Sequence, residues 1–313
     1  MKPARWGAVE VGGTKVICLV GSGPEHIVAQ IRLPTGMPAG TLAAIVEFFH
    51  QQVASSGPLA GVGIASFGPL ELRRSHPMYG CITATPKPGW SGVDLVGPVR
   101  RALGVPVGFD TDVNSAALAE GRWGAARSLD TFVYLTAGTG IGAGALVAGR
   151  LVHGLGHPEM GHLSVPRLPG DDFAGCCPFH GDCLEGMASG TALAARYRGP
   201  AEQLDGDRLQ AAIQLEAGYL AAGLRNIVYA IAPQRIVIGG GLTGLPGLFP
   251  LVRARLSAAL AEYPGLPEHA ADDFVVPAAL GSLAGPAGAL ILAERAIVVD
   301  ATVAATEKDD HDR

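Results

Sequence analysis

Glu10-Val11-Gly12-Gly13-Thr14-Lys15 is the stretch on which the reading of this chain turns, set between two apolar β-type runs at residues 8–11 and 16–20. A turn with so little Cβ bulk lets backbone N–H groups converge on an anion. The Thr14 hydroxyl adds a donor and Lys15 adds a positive charge. A second stretch of the same kind, Thr136-Ala137-Gly138-Thr139-Gly140-Ile141-Gly142, follows the apolar run 131–135. Either turn alone reads as an ordinary hairpin connector, because Gly-Gly is common there. Two of them far apart, with a carboxylate at Asp112 between them, point to a phosphate clamp drawn from both halves of the chain.

The 313 residues suffice for a large core and two lobes, and 48% hydrophobic with 16% charged residues marks a globular protein rather than a disordered one. A net charge of −5 with no basic patch argues against nucleic acid as a partner. No apolar run is expected to reach the roughly 20 residues that cross a bilayer. The start, MKPARWGAVEVGG, lacks the apolar core of a signal peptide, so a cytoplasmic protein is expected. The five cysteines, at 18, 81, 176, 177 and 183, are odd in number and clustered. In such a chain they favour a metal or a reactive thiol over a disulfide framework.

Strands are predicted at 8–11, 16–20, 27–33, 61–65 and 105–109, with helices at 41–55 and 95–103. The pattern then repeats. Strands follow at 132–135, 142–147, near 162–165 and at 235–238, with helices at 184–197 and 208–232. Two stretches that each open with a hairpin and continue in strand–helix alternation suggest a duplicated α/β unit. Residues 1–113 form the predicted first lobe, completed by a C-terminal helix near 288–300. Residues 114–287 form the second, with 114–124 as the connecting helix. Residues 301–313, largely polar, are expected to fray.

Asp112 stands after the strand 105–109, in Gly108-Phe109-Asp110-Thr111-Asp112-Val113-Asn114, with Asn114 as the expected helix cap. That position is a strand's C-terminal end, where α/β sheets open their clefts. A carboxylate there can take the proton of a hydroxyl attacking phosphorus. Asp110 and Asp112 read equally well as turn and capping residues.

Cys177-Pro178-Phe179-His180-Gly181-Asp182-Cys183 is a C-x-x-H-x-x-C cluster, and His162 upstream could supply a fourth ligand. Thiolate and imidazole donors at this spacing suit a closed, structural tetrahedral zinc site. Cys176 competes with Cys177, and His153 and His157 compete less strongly with His162. Glu159, His162 and Glu185 would gather near the metal, where carboxylates and an imidazole can bind sugar hydroxyls or merely support the ligands. Ile236-Val237-Ile238-Gly239-Gly240-Gly241 runs a strand into a triple glycine that a flat base could approach. The small residues at 279–289 open a helix, and both segments also read as close packing. Neither a P-loop nor a dinucleotide-binding Gly-x-Gly-x-x-Gly strand–turn–helix is present.

Together, EVGGTK, TPKPGW (85–90), DTDVNSAALAE (110–120), LTAGTGIG (135–142), HPEMGH (157–162) and CCPFHGDCLEG (176–186) resemble the ROK family of sugar kinases, over residues 7–295. The likeness is strongest to its zinc-containing fructokinase branch. It implies a two-lobed actin-like ATPase (ribonuclease H-like) fold, with duplicated α/β domains and an interlobe cleft that closes over substrate. It further implies ATP-dependent phosphorylation of a hexose at the 6-hydroxyl, most often D-fructose, with Asp112 as general base. Mannose or a broader set of hexoses including glucose is the alternative. By the same resemblance, Gly12, Gly13, Thr14 and Lys15 match a first phosphate loop. Thr136, Gly138, Thr139 and Gly140 match a second, and Gly239, Gly240 and Gly241 the adenosine loop. Glu10 matches the residue that helps hold Mg²⁺. His162, Cys177, His180 and Cys183 match zinc ligands, and Asp112, Glu159, His162 and Glu185 match sugar contacts. The chain has Glu10 where many members have Asp, and Thr111 where glucokinases tend to have Asn. Members are usually homodimers. The family also contains sugar-responsive repressors, whose N-terminal DNA-binding segment has no room before residue 7, and a non-catalytic sugar sensor would not be expected to keep Asp112 and both loops.

Overall fold

The computed structural model describes residues 4–200 and 203–311. The chain divides into two compact units: Met1–Ala119 with His153–His157 and Ser282–Arg313, and Glu120–Val152 with Pro158–Gly281.

The first unit holds β1 (Trp6–Val11), β2 (Lys15–Gly21), β3 (Ile27–Pro34), α1 (Pro38–Ser56), β4 (Gly61–Ser66), α2 (Val96–Leu103) and β5 (Val107–Thr111). The sheet order is β3-β2-β1-β4-β5. β1 and β2 form an antiparallel hairpin that closes at Val11 opposite Val16, so the glycine turn sits at its tip. β4 and β5 add in parallel. Because side chains alternate across a strand, the two faces of β1 feed different cores. Val9 and Val11 pack with Ile45, Phe48 and Phe49 of α1. Ala8 packs with Ala289 and Leu290 of the last helix, α8 (Ala284–His311). α8 crosses β4 and β5 so closely that a Cβ on Gly63 would lie 1.8 Å from the Ala289 carbonyl oxygen, and one on Gly108 2.1 Å from that of Leu292. The small residues that open α8 are therefore packing residues.

The second unit holds β6 (Phe132–Ala137), β7 (Ile141–Val147), β8 (Arg150–Leu151), α4 (Leu184–Ala188), α5 (Gly190–Tyr197), α6 (Gly206–Ile231), β9 (Arg235–Gly239), α7 (Leu248–Leu260) and β10 (Val275–Pro277). Its sheet order is β10-β9-β6-β7-β8. Read from the third strand of each hairpin, the two sheets run β3-β2-β1-β4-β5 and β8-β7-β6-β9-β10, with the same parallel and antiparallel neighbours. The duplication is thus visible as topology. α3 (Asp112–Trp123) carries the chain from one unit to the other, the division falling after Ala119 rather than after residue 113.

Several sequence expectations need correction. The third strand of the second sheet is β8, not 162–165, which forms a short 3₁₀ turn (Met160–His162) and one bridge, Ser164 to Cys183. The helix predicted over 184–197 breaks at Ser189, whose side chain caps α5 by accepting from the Ala192 amide at 3.1 Å. α7 and β10 were not foreseen. Residues 301–313, expected to fray, continue α8 through His311, and the last two lie outside the described residues. Among the described residues, Gly281–Val298 does have the length and composition to span a membrane, with mean hydropathy 1.2. That stretch is 61% buried, and α8 packs on β1, β4 and β5.

Candidate active site and metal centre

In the first unit the turn at Gly12–Lys15 is fixed through its carbonyls. Thr35 Oγ1 donates to the Gly12 oxygen at 2.7 Å, and Lys87 Nζ donates to that of Gly13 at 2.6 Å. The Thr35 amide donates to the Thr14 oxygen at 3.0 Å. In a trans peptide the N–H lies opposite its C=O. Tying the carbonyls back therefore turns the amides of Gly13, Thr14 and Lys15 the other way. Sequence reasoning assigned nothing to Thr35 or Lys87. Lys87 belongs to the TPKPGW stretch, whose Trp90 is buried and donates from Nε1 to the Gly36 oxygen at 3.1 Å.

Asp112 opens α3, and its Oδ1 accepts from the Val113 amide at 2.9 Å. The helix cap is Thr111 rather than Asn114: Thr111 Oγ1 accepts from the Asn114 amide at 3.1 Å. Asn114 instead donates from Nδ2 to Oδ1 of the buried Asp110 at 2.7 Å, and His153 Nε2 lies 3.0 Å from Asp110 Oδ2. Burial pushes Asp112 up to about 6, against the pull of backbone hydrogen bonds. Glu10, near the end of β1, is pushed up to about 7 by burial and then by the Asp112 charge, with Lys15 pulling it down. Two carboxylates thus share a poorly solvated place that a cation would relieve. Gly285 keeps that place open, because a Cβ there would lie 1.9 Å from Glu10 Oε1.

In the second unit the turn at Gly138–Gly140 is built on the same plan. The Gly190 amide donates to the Gly138 oxygen at 2.7 Å, and Thr191 donates from both its amide and its hydroxyl to the Thr139 oxygen, at 3.3 and 2.7 Å. Both carbonyls are drawn to the start of α5, so the amides of Thr139 and Gly140 face away from it. Thr136 lies in β6 opposite Gly142 and Gly239. The triple glycine ends β9 beside this turn. Gly240 has φ 91°, and a Cβ on it would lie 2.3 Å from the Ala137 oxygen, so only glycine fits.

His162, Cys177, His180 and Cys183 come together in the second unit, with one donor atom from each within 4.8 Å of every other. The Cys177 thiol lies 3.7 Å from Nδ1 of both His162 and His180, and the Cys183 thiol 3.5 Å from His162 Nδ1. Around a tetrahedral zinc, bonds of about 2.0–2.3 Å put donors roughly 3.3–3.8 Å apart, so the donor set and spacing fit that ion. Cys176 is not part of the group. Its amide donates to the Gly186 oxygen, and its thiol pairs with Ser189. His153 and His157 belong to the first unit, where His157 Nε2 accepts from the Leu70 amide at 3.0 Å. Glu159 precedes the 3₁₀ turn and His162 is its last residue. Glu185 lies on α4, two residues beyond Cys183, and its Oε2 accepts from the Ile141 amide at 3.0 Å.

Against known proteins, the pattern that defines the ROK family matches residues 6–296. The chain belongs to the ROK family. This ROK-family chain is 43% identical over 293 residues to a fructokinase of Zymomonas mobilis, covering 92% of this chain and 96% of the relative. It is 41% identical over 297 residues to a putative fructokinase of Bacillus subtilis, covering 94% and 97%. Among solved structures, it is similar to a ROK family glucokinase of Streptomyces griseus in complex with glucose and AMPPNP. The TM-score there is 0.70 at 25% identity, over 93% of this chain and all of the other. The repeated sheet topology is that of a two-lobed actin-like ATPase fold.

Proposed function

We propose that this chain transfers the terminal phosphoryl group of ATP to the 6-hydroxyl of a hexose, with D-fructose preferred. The observation that carries the chemistry is Asp112, a half-buried carboxylate at the first position of α3, directly after β5, held above its ordinary pKa. The fructose assignment rests on the relatives named above. Asp112 accepts the hydroxyl proton as the sugar oxygen bonds to phosphorus and the bond to the bridging oxygen of ADP breaks. The amides of Gly13–Lys15 and of Thr139–Gly140 would donate to phosphate oxygens, and Lys15 would add charge. Gly239, Gly240 and Gly241 would receive the adenosine. Glu159, His162, Glu185 and Asp112 take the sugar hydroxyls.

Glu10, beside Asp112, would hold Mg²⁺, which when bound neutralises phosphate charge. His162, Cys177, His180 and Cys183 would hold Zn²⁺, which cross-links the segment 160–183. A cytoplasmic homodimer belongs to the same reading. Light scattering should give twice 31.9 kDa.

The test is ADP release with Mg²⁺ and ATP over fructose, mannose, glucose and N-acetylmannosamine. Fructose should give the highest kcat/KM, with mannose next. Glucose exceeding fructose tenfold would make the protein a glucokinase. No ADP release with any sugar would leave a non-catalytic regulator.

A further inference from the structure

Glu185 does something for the second glycine turn that a sugar ligand need not do. Its Oε2 accepts from the Ile141 amide, the first residue after the turn, and a Cβ on Gly140 would lie 2.6 Å from that same oxygen. The other side of Ile141 is equally confined, since a Cβ on Gly161 would lie 1.8 Å from its carbonyl oxygen. Glu185 sits on α4, which Cys183 immediately precedes, and Gly161 lies in the 3₁₀ turn that carries His162. The far end of the turn is fixed separately, by Gly190 and Thr191 on the carbonyls of Gly138 and Thr139. The base of the turn is closed by the pairing of Ala137 with Ile141 and by the Gly138 amide donating to the Gly140 oxygen at 3.0 Å, which leaves the Ile141 amide to Glu185.

We propose that Glu185 is a positioning residue for the nucleotide phosphates, setting the Gly138–Gly140 turn through the Ile141 amide in addition to facing the sugar. This rests on the reading that the turn receives phosphate. A carboxylate–amide hydrogen bond is charge-assisted and directional, so it fixes the direction of the next peptide as well as its place. The consequence is that nucleotide affinity depends on Glu185 even with no sugar present.

The experiment measures binding of a non-hydrolysable ATP analogue with Mg²⁺, by calorimetry on the sugar-free, metal-replete protein. Wild type is compared with Glu185→Ala and Glu185→Gln. Both variants lose the carboxylate, so both should raise the fructose KM. Only alanine loses the acceptor for Ile141, since the glutamine carbonyl can still take that hydrogen bond. Alanine should therefore weaken the analogue about tenfold, while glutamine stays within about threefold of wild type. Hydrogen exchange of the 138–141 amides should rise in alanine and not in glutamine. If alanine does not fold, Glu185→Asp, one methylene too short to reach, should show the same weakening. Wild-type analogue affinity in the alanine or aspartate variant, with fructose KM raised, would overturn the proposal and leave Glu185 a sugar ligand alone. No analogue binding by wild type would instead remove the kinase reading beneath it.

Discussion

Asp112 and Glu10 illustrate why a carboxylate's surroundings matter more than its motif. Either would be an ordinary acid in water. Burial holds them near 6 and 7, so the pair titrates close to neutrality. Asp112→Asn keeps the shape and loses the base; kcat should fall by roughly 10²–10⁴ with little change in KM, read by coupled ADP release. The same pKa fixes the pH response. A base works only when ionised, and a pKa raised from 3.8 to about 6 moves loss of the ionised form up to that pH. The kcat/KM profile should therefore bend near pH 6 and fall about tenfold per unit below it. A profile flat to pH 5 would contradict this assignment. The place of Asp112 was legible in the sequence because it directly follows the strand β5. Thr35 and Lys87 were not, because the carbonyls they hold lie 23 and 74 residues away. No local pattern encodes such a contact.

At the scale of elements, what the sequence disclosed follows from periodicity. The β-type runs and the long apolar helices carry a period that can be read, and their centres fall where expected. β8 has two residues and no period at all. The segment 160–165 forms a 3₁₀ turn whose His162 belongs to the four-donor cluster, a long-range arrangement that no local period encodes. Gly63 of β4 and Gly108 of β5, to which sequence reasoning gave no role, are the seat of α8. Gly63→Ala places a methyl against a main-chain oxygen that cannot rotate away. It should destabilise the protein by about 1–3 kcal/mol in denaturant unfolding. The same change at Gly13, where nothing lies within 4 Å, should cost far less stability.

For the molecule as a whole, two units with one topology hold different auxiliaries. The second carries the thiol–imidazole group, and we expect one zinc per chain by elemental analysis of protein purified without chelator. Stripping it should lower Tm by roughly 10 °C, since ligand binding and folding share one free energy. Protein that contains no zinc and melts unchanged with chelator would refute the site.

The division between the units has a consequence for how the protein is made. Glu120–Gly281 is nearly one continuous piece, interrupted only by His153–His157. The first unit is assembled from three pieces, and the helix that covers one face of its sheet is the last element in the chain. On a ribosome, β1, β4 and β5 emerge early but wait for α8 until the whole second unit has been synthesised, with Ala8, Leu19 and Ala65 uncovered meanwhile. The half translated first is therefore the half completed last, and nascent chains stopped before residue 284 should bind a holdase chaperone through that sheet.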